Sequence, residues 1–191
     1  MSGPVEEQTV DGADLGMSTI EVKEGRTAQV GDMQVVRVLP TKQKRAVGPW
    51  CFVDLMRPDD IEEPPPLEIG PHPHIGLATV TWLFAGSALH SDSLGSEQLI
   101  SPGQLNLMTS GQGLAHAELG VEPATAKDTG GVMGVQPLGE PIKMWWNFVA
   151  RDQDEITEAW RDWRDHNDER FGPVPSSLAR IDAPTPPWIR E

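Results

Sequence analysis

Apolar residues fall in short runs punctuated by glycine and proline. MQVVRVL, residues 33–39, is rich in β-branched side chains and reads as a strand. PWCFVDLM, residues 49–56, reads as a second, buried strand. LATVTWLFA, residues 77–85, carries the clearest pattern: Val80, Trp82 and Phe84 alternate with Thr79, Thr81 and Leu83. That alternation predicts a strand with one large apolar face, expected in the core together with Met108. Shorter strands are expected at 88–91, 98–100, 105–108 and 114–119. Turns separate them at 92–95, at Ser101-Pro102-Gly103 and at 110–113, where Pro and Gly supply restricted and positive φ. Strands returning every ~8–12 residues predict an all-β sandwich or barrel.

The remaining segments read differently. Residues 1–18 are polar and mixed, an expected loose arm, and 40–48 form a basic loop. Residues 57–70 carry Pro58, Pro64, Pro65 and Pro66 among acidic residues and read as an irregular loop. Residues 121–131 are small and polar. A helix is expected after Asp152, which caps it with Glu155 in a capping-box-like pair. Ile156, Ala159, Trp160 and Trp163 then form one apolar stripe that docks on the β-domain. From Gly172 the chain carries Pro173, Pro175, Pro184, Pro186 and Pro187 and reads as extended or disordered.

Composition narrows the function classes. The 191 residues include 29 Asp plus Glu against 15 Lys plus Arg, a net charge of −14. Such a surface repels nucleic acid and anionic membranes, so the local cluster Lys42, Lys44 and Arg45 carries little weight. The single cysteine, Cys51, excludes an intrachain disulfide and a cysteine-based zinc site, and reads as a buried small hydrophobe. No stretch approaches the ~20 apolar residues of a spanning helix. Residues 1–14 lack a basic and apolar leader pattern, so the cytoplasm is the expected compartment.

The chemistry lies in the histidines, of which there are 5. His72 and His74 occur as His-Pro-His, and on a strand residues i and i+2 face one side. His116-Ala117-Glu118 repeats that spacing with one imidazole and one carboxylate. Paired as neighbouring strands, the two segments bring three nitrogens and one oxygen together. That set suits a divalent first-row metal such as iron, manganese, nickel or copper, with positions left for substrate and oxygen. His90 reads as a hydrogen-bonded barrel-edge or surface histidine ahead of a supporting role near the metal. His166 reads as exposed at the helix end, and Trp145 and Trp146 as fixing the docking of the tail.

The stretch GPHPHIGLATVTWLFAGSALHSDSLG, followed by SPGQLNLMTSGQGLAHAEL, resembles the pirin family of cupins from about Val35 to Leu119. The resemblance implies an all-β cupin barrel or jelly roll, here followed by a C-terminal helix. It implies metal ligands at His72, His74, His116 and Glu118, with Fe(II) the expected ion and Mn, Ni, Cu or Zn the alternatives. Cupins in general place a glutamate four residues after the second histidine, where this chain has Ala78. Pirins carry two cupin barrels, and the resemblance divides this chain into an N-terminal cupin at 19–122, a shortened junction at 123–144, a remnant of the family's C-terminal segment at 145–171 and a tail at 172–191. An internal deletion around Pro123 to Gly131 is the expected origin of that arrangement.

Two functions follow from the resemblance. One is a quercetin 2,3-dioxygenase-like enzyme acting on a flavonol or related polyphenol with dioxygen, with Glu118 as catalytic proton acceptor and Trp82 or Phe84 forming the aromatic wall. The other is a non-enzymatic, iron-dependent regulatory or interaction protein of the transcriptional co-regulator type. An apolar face without its second barrel is expected to pair in a homodimer or against a protein partner.

Overall fold

Among the described residues the first strands are Arg26–Val30 (β1) and Met33–Leu39 (β2), which pair antiparallel. Trp50–Met56 (β3) follows, then Glu68–His74 (β4), Ala78–Leu83 (β5), Ala88–Asp92 (β6), Glu97–Ile100 (β7), Leu105–Thr109 (β8) and Leu114–Gly120 (β9). Thr129–Gly134 (β10), the hairpin Lys143–Trp145 (β11) and Phe148–Ala150 (β12), and the helix Gln153–Arg164 (α1) complete the elements. This computed structural model describes residues 24–30, 33–56, 67–84, 86–121, 129–134 and 142–190. The expected arm at 1–18, and the part of the expected loop at 57–66, lie outside them.

Two antiparallel sheets form the barrel. One has the order β1-β2-β3-β10-β5-β8, the other β4-β9-β6-β7. Val35 and Leu83 from the first sheet meet Ile69, Ala88 and Ile100 from the second in the core between them. The all-β jelly roll with a C-terminal helix expected from the sequence is the architecture observed.

The segment expected to be a junction outside the cupin contributes a strand to the middle of it. β10 lies between β3 and β5, with Val132 opposite both Val53 and Val80. The barrel therefore extends past residue 122. Similarly, β4 occupies Glu68 to Gly70, where an irregular loop was expected. It is an edge strand of its sheet, the position in which Pro71 and Pro73 cost least.

β5 faces the opposite way from the expected register. Thr79, Thr81 and Leu83 point inward, while Trp82 is 38% and Phe84 65% exposed. Both faces of this strand carry residues that favour β structure, so size alone does not decide which is buried. The inward face is chosen by what it meets: Leu83 enters the core, and Thr81 Oγ1 donates to the buried Glu118 carboxylate at 3.4 Å. Trp82 and Phe84 instead join Leu105 and Leu107 of β8 as exposed apolar residues, Trp82 opposite Leu105 and Val80 opposite Leu107.

The helix docks as its stripe predicts. Ile156, Ala159, Trp160 and Trp163 are all buried, against Ile75, Ala115, Phe148 and Phe171. Asp152 Oδ1 accepts from the N–H groups of Asp154 and Glu155, while the Glu155 carboxylate returns to Arg151 rather than to Asp152. The tail is extended, as expected, and packed along its length. Trp163 Nε1 donates to the Ile181 carbonyl, Trp188 Nε1 donates to Thr157 Oγ1, and the Ile181 N–H donates to the Pro71 carbonyl. Among the described residues no helix is long and apolar enough to cross a membrane.

Candidate metal centre

Three neighbouring strands of the smaller sheet each present an i, i+2 pair of buried polar side chains. β4 carries His72 and His74, β9 carries His116 and Glu118, and β6 carries His90 and Asp92. The register aligns them in rows. His72 and Asp92 lie on either side of His116, and His90 lies opposite Glu118. A bulge between Ile69 and His72 on β4 sets this alignment, and the Gly70 carbonyl within it accepts from His72 Nδ1 at 2.9 Å.

Of the four expected ligands, His72, His74 and His116 form one set, and Glu118 joins His116 only in a second set, with His90. Ligand atoms of His72, His74 and His116 lie within 4.8 Å of one another, and so do those of His90, His116 and Glu118. His116 belongs to both. His74 Nε2 and His116 Nε2 are 3.0 Å apart, with the His72 ring 4.3 Å from His116 by centroid. His90 is thus part of the cluster, not an edge histidine. Its pairing with Asp92 is a third i, i+2 spacing on these strands, of the same His-x-acid type as His116 and Glu118. His166 lies beyond the helix end, away from the cluster, as expected.

Burial sets the protonation of these groups. It lowers His72 to about 4, and holds His74 and His116 well below the ordinary imidazole range, helped by the neighbouring rings. It also lowers His90, partly offset by Asp92. All are therefore neutral at physiological pH, the form that ligates a metal. Burial raises Glu118 to about 7, against the Thr81 hydrogen bond that pulls it down. A cation beside it would favour the carboxylate.

The donor set fits a divalent ion. Two nitrogens each ~2.1 Å from one ion at right angles stand ~3 Å apart, the spacing found between His74 and His116. His74 Nδ1 is a buried atom without a hydrogen-bond partner among the described residues, so their hydrogen bonds do not close the cluster.

The cluster opens on a cavity of about 330 Å³. His72, His116 and Glu118 form its inner end, and Phe52, Met144, Trp145 and Trp146 form apolar walls. Arg37, held by Asp54 at 2.6 and 2.7 Å, lies on its border. Trp82 and Phe84 are absent from it, because β5 turns them outward. The aromatic wall comes instead from the β11–β12 hairpin. Trp145 does dock the tail, its ring meeting Trp188 edge-on at 5.9 Å, and it lines the cavity as well. Its indole N–H is buried without a partner among the described residues.

The pirin family profile matches residues 32–136. The chain belongs to the pirin family. Among curated relatives, a Pseudomonas aeruginosa protein provisionally named a quercetin 2,3-dioxygenase is 52% identical over 94 residues, 49% of this chain and 30% of that one. A pirin-like protein of Caulobacter vibrioides is 43% identical over 99 residues, 51% of this chain and 34% of that one. This pirin thus matches about a third of the length of each. A solved structure titled quercetin 2,3-dioxygenase from Acinetobacter baumannii superposes with a TM-score of 0.78 at 24% identity, covering 88% of this chain and 96% of that one. That likeness bears on the fold alone. It shows that a cupin barrel of this size exists as a solved chain.

Proposed function

We propose that this pirin is a metal-dependent, quercetin 2,3-dioxygenase-like oxidoreductase acting on a flavonol or related flat polyphenol. The observation that carries the reading is the cluster of neutral imidazoles and a buried carboxyl group at the inner end of an aromatic-walled cavity. His72, His74, His116 and Glu118 would hold the ion, with Fe(II) the reading taken from the family resemblance. The bound ion would lower the pKa of a substrate hydroxyl and bring dioxygen and substrate together.

The protein's own residues do the rest. Phe52, Met144, Trp145 and Trp146 sandwich a flat ring system and keep water from it. The free Trp145 N–H offers a hydrogen bond to a substrate oxygen. Glu118, whose carboxylate form a bound ion would favour, would accept the hydroxyl proton, and Thr81 Oγ1 donates to that carboxylate. The test is oxygen uptake with quercetin by iron-loaded protein. Uptake that vanishes in His116→Ala supports the reading, and no uptake by loaded wild type overturns it.

A second reading rests on the exposed strip of Trp82, Phe84, Leu105 and Leu107. It favours an iron-dependent interaction protein, whose partner covers that strip. Metal-loaded protein without oxygen uptake, but with a metal-dependent partner, would select it.

A further inference from the structure

The cluster contains a line of contacts that the four expected ligands do not account for. Asp92 ends β6 and opens the following turn. Its Oδ1 accepts from the N–H groups of Leu94 and Ser96, at 2.9 and 3.0 Å, which fixes the carboxylate plane. Its Oδ2 then faces His90 Nε2 at 3.6 Å. The other nitrogen of that ring, Nδ1, lies 3.4 Å from His116 Nδ1. The far nitrogen of His116, Nε2, is the one that meets His74.

Chemistry gives the line a direction. A carboxylate only accepts, so the His90 ring carries its hydrogen on Nε2, toward Asp92. A neutral ring protonated there has a bare lone pair at Nδ1. That lone pair accepts from His116 Nδ1–H, which leaves His116 Nε2 with a lone pair facing the His74 and His72 side of the cluster. His72 is set in the same sense by a different acceptor, the Gly70 carbonyl on its Nδ1. Both separations, 3.6 and 3.4 Å, are longer than ordinary hydrogen bonds, and contacts of this kind commonly tighten only when the ligand is in place.

We propose that Asp92 and His90 are positioning residues that lock His116 in the tautomer whose Nε2 presents a lone pair to the cation. The inference rests on the metal site read above, and it assigns to the third i, i+2 pair a task that ligation does not. A hydrogen bond of this type to a ligand's second nitrogen orients the ring and raises its basicity.

Asp92→Asn tests it. The Asn carbonyl oxygen still accepts from Leu94 and Ser96, so the turn persists, but an amide N–H now faces His90. His90 is forced to accept at Nε2 and to donate from Nδ1, and His116 must move its hydrogen to Nε2, the wrong nitrogen for ligation. Three readouts follow, all on purified full-length protein. Cobalt(II) titration gives affinity about 10–100-fold weaker than wild type. Nitrogen-15 shifts of the metal-free protein report His116 protonated on Nε2 in Asp92→Asn and on Nδ1 in wild type. His90→Leu also weakens binding, and the double variant is no weaker than His90→Leu alone, because Asp92 acts through His90. Asp92→Asn binding cobalt as wild type does, an unchanged His116 tautomer, or losses that add in the double variant would each overturn the proposal. Wild-type protein that takes up no cobalt would refute the metal site itself, a distinct result.

Discussion

His72 and His116 stand directly opposite each other on antiparallel neighbours, their rings 4.3 Å apart. Cross-strand pairing therefore places one ligand from each expected motif side by side. Replacing either removes a donor that nothing else in the row supplies. Elemental analysis of metal-loaded protein should show content near one ion per chain for wild type and His166→Ala, and near none for His116→Ala. Full content in His116→Ala would contradict the site.

Stability of the metal-free protein should depend on pH with a definite sign. The buried histidines titrate below their ordinary value of ~6.5, His72 at about 4. Between these values the unfolded chain binds more protons than the folded one, so stability is present above pH ~6.5 and lost as pH falls toward 4. Glu118 acts the opposite way: raised to about 7, it contributes stability at low pH that is lost as pH rises through 7. The histidines outnumber it, so the net slope between pH 5 and 6 is positive. Urea unfolding in the presence of a chelator, repeated at several pH values, measures it. A flat profile would count against buried neutral histidines.

Trp145→Phe keeps an aromatic ring and removes an indole N–H that has no partner among the described residues. Its thermal midpoint should change little. If the N–H binds substrate oxygen, KM for quercetin should rise about 2–10-fold with kcat nearly constant. An unchanged KM would remove Trp145 from the binding contacts.

Gly70→Ala should free the tail. A Cβ at Gly70 would sit 1.9 Å from the Ala179 carbonyl oxygen, a backbone atom that cannot step aside. The cost should be about 1–3 kcal/mol, within the range for overpacking. Limited proteolysis should then cut near Ala179 while the barrel survives. Wild-type resistance in this variant would show that the tail is held from elsewhere.

Much of this was legible in the chain because local spacing carried it. His72/His74 and His116/Glu118 share the period of a strand, and the helix stripe from Ile156 to Trp163 has the period of a helix. The third pair, His90/Asp92, obeyed the same rule, but a lone histidine followed by an acid reads as an ordinary polar turn. β4 was hidden by its prolines, which an edge strand tolerates. β10, TGGVMG, has three glycines and no strand propensity of its own; pairing with β3 and β5, far away in sequence, makes it a strand. The facing of β5 was decided by Glu118 and the core, neither of which its own residues announce.

The place of β10 has a consequence for synthesis. The larger sheet consists of β1-β2-β3 on one side and β5-β8 on the other, joined only through Thr129–Gly134. A nascent chain that has delivered every expected metal ligand by Glu118 still carries two unpaired inner edges. The ribosome must release residue 134 before the halves can zip together, so the last strand of this sheet to be made is the one that turns an open, adhesive intermediate into a closed barrel.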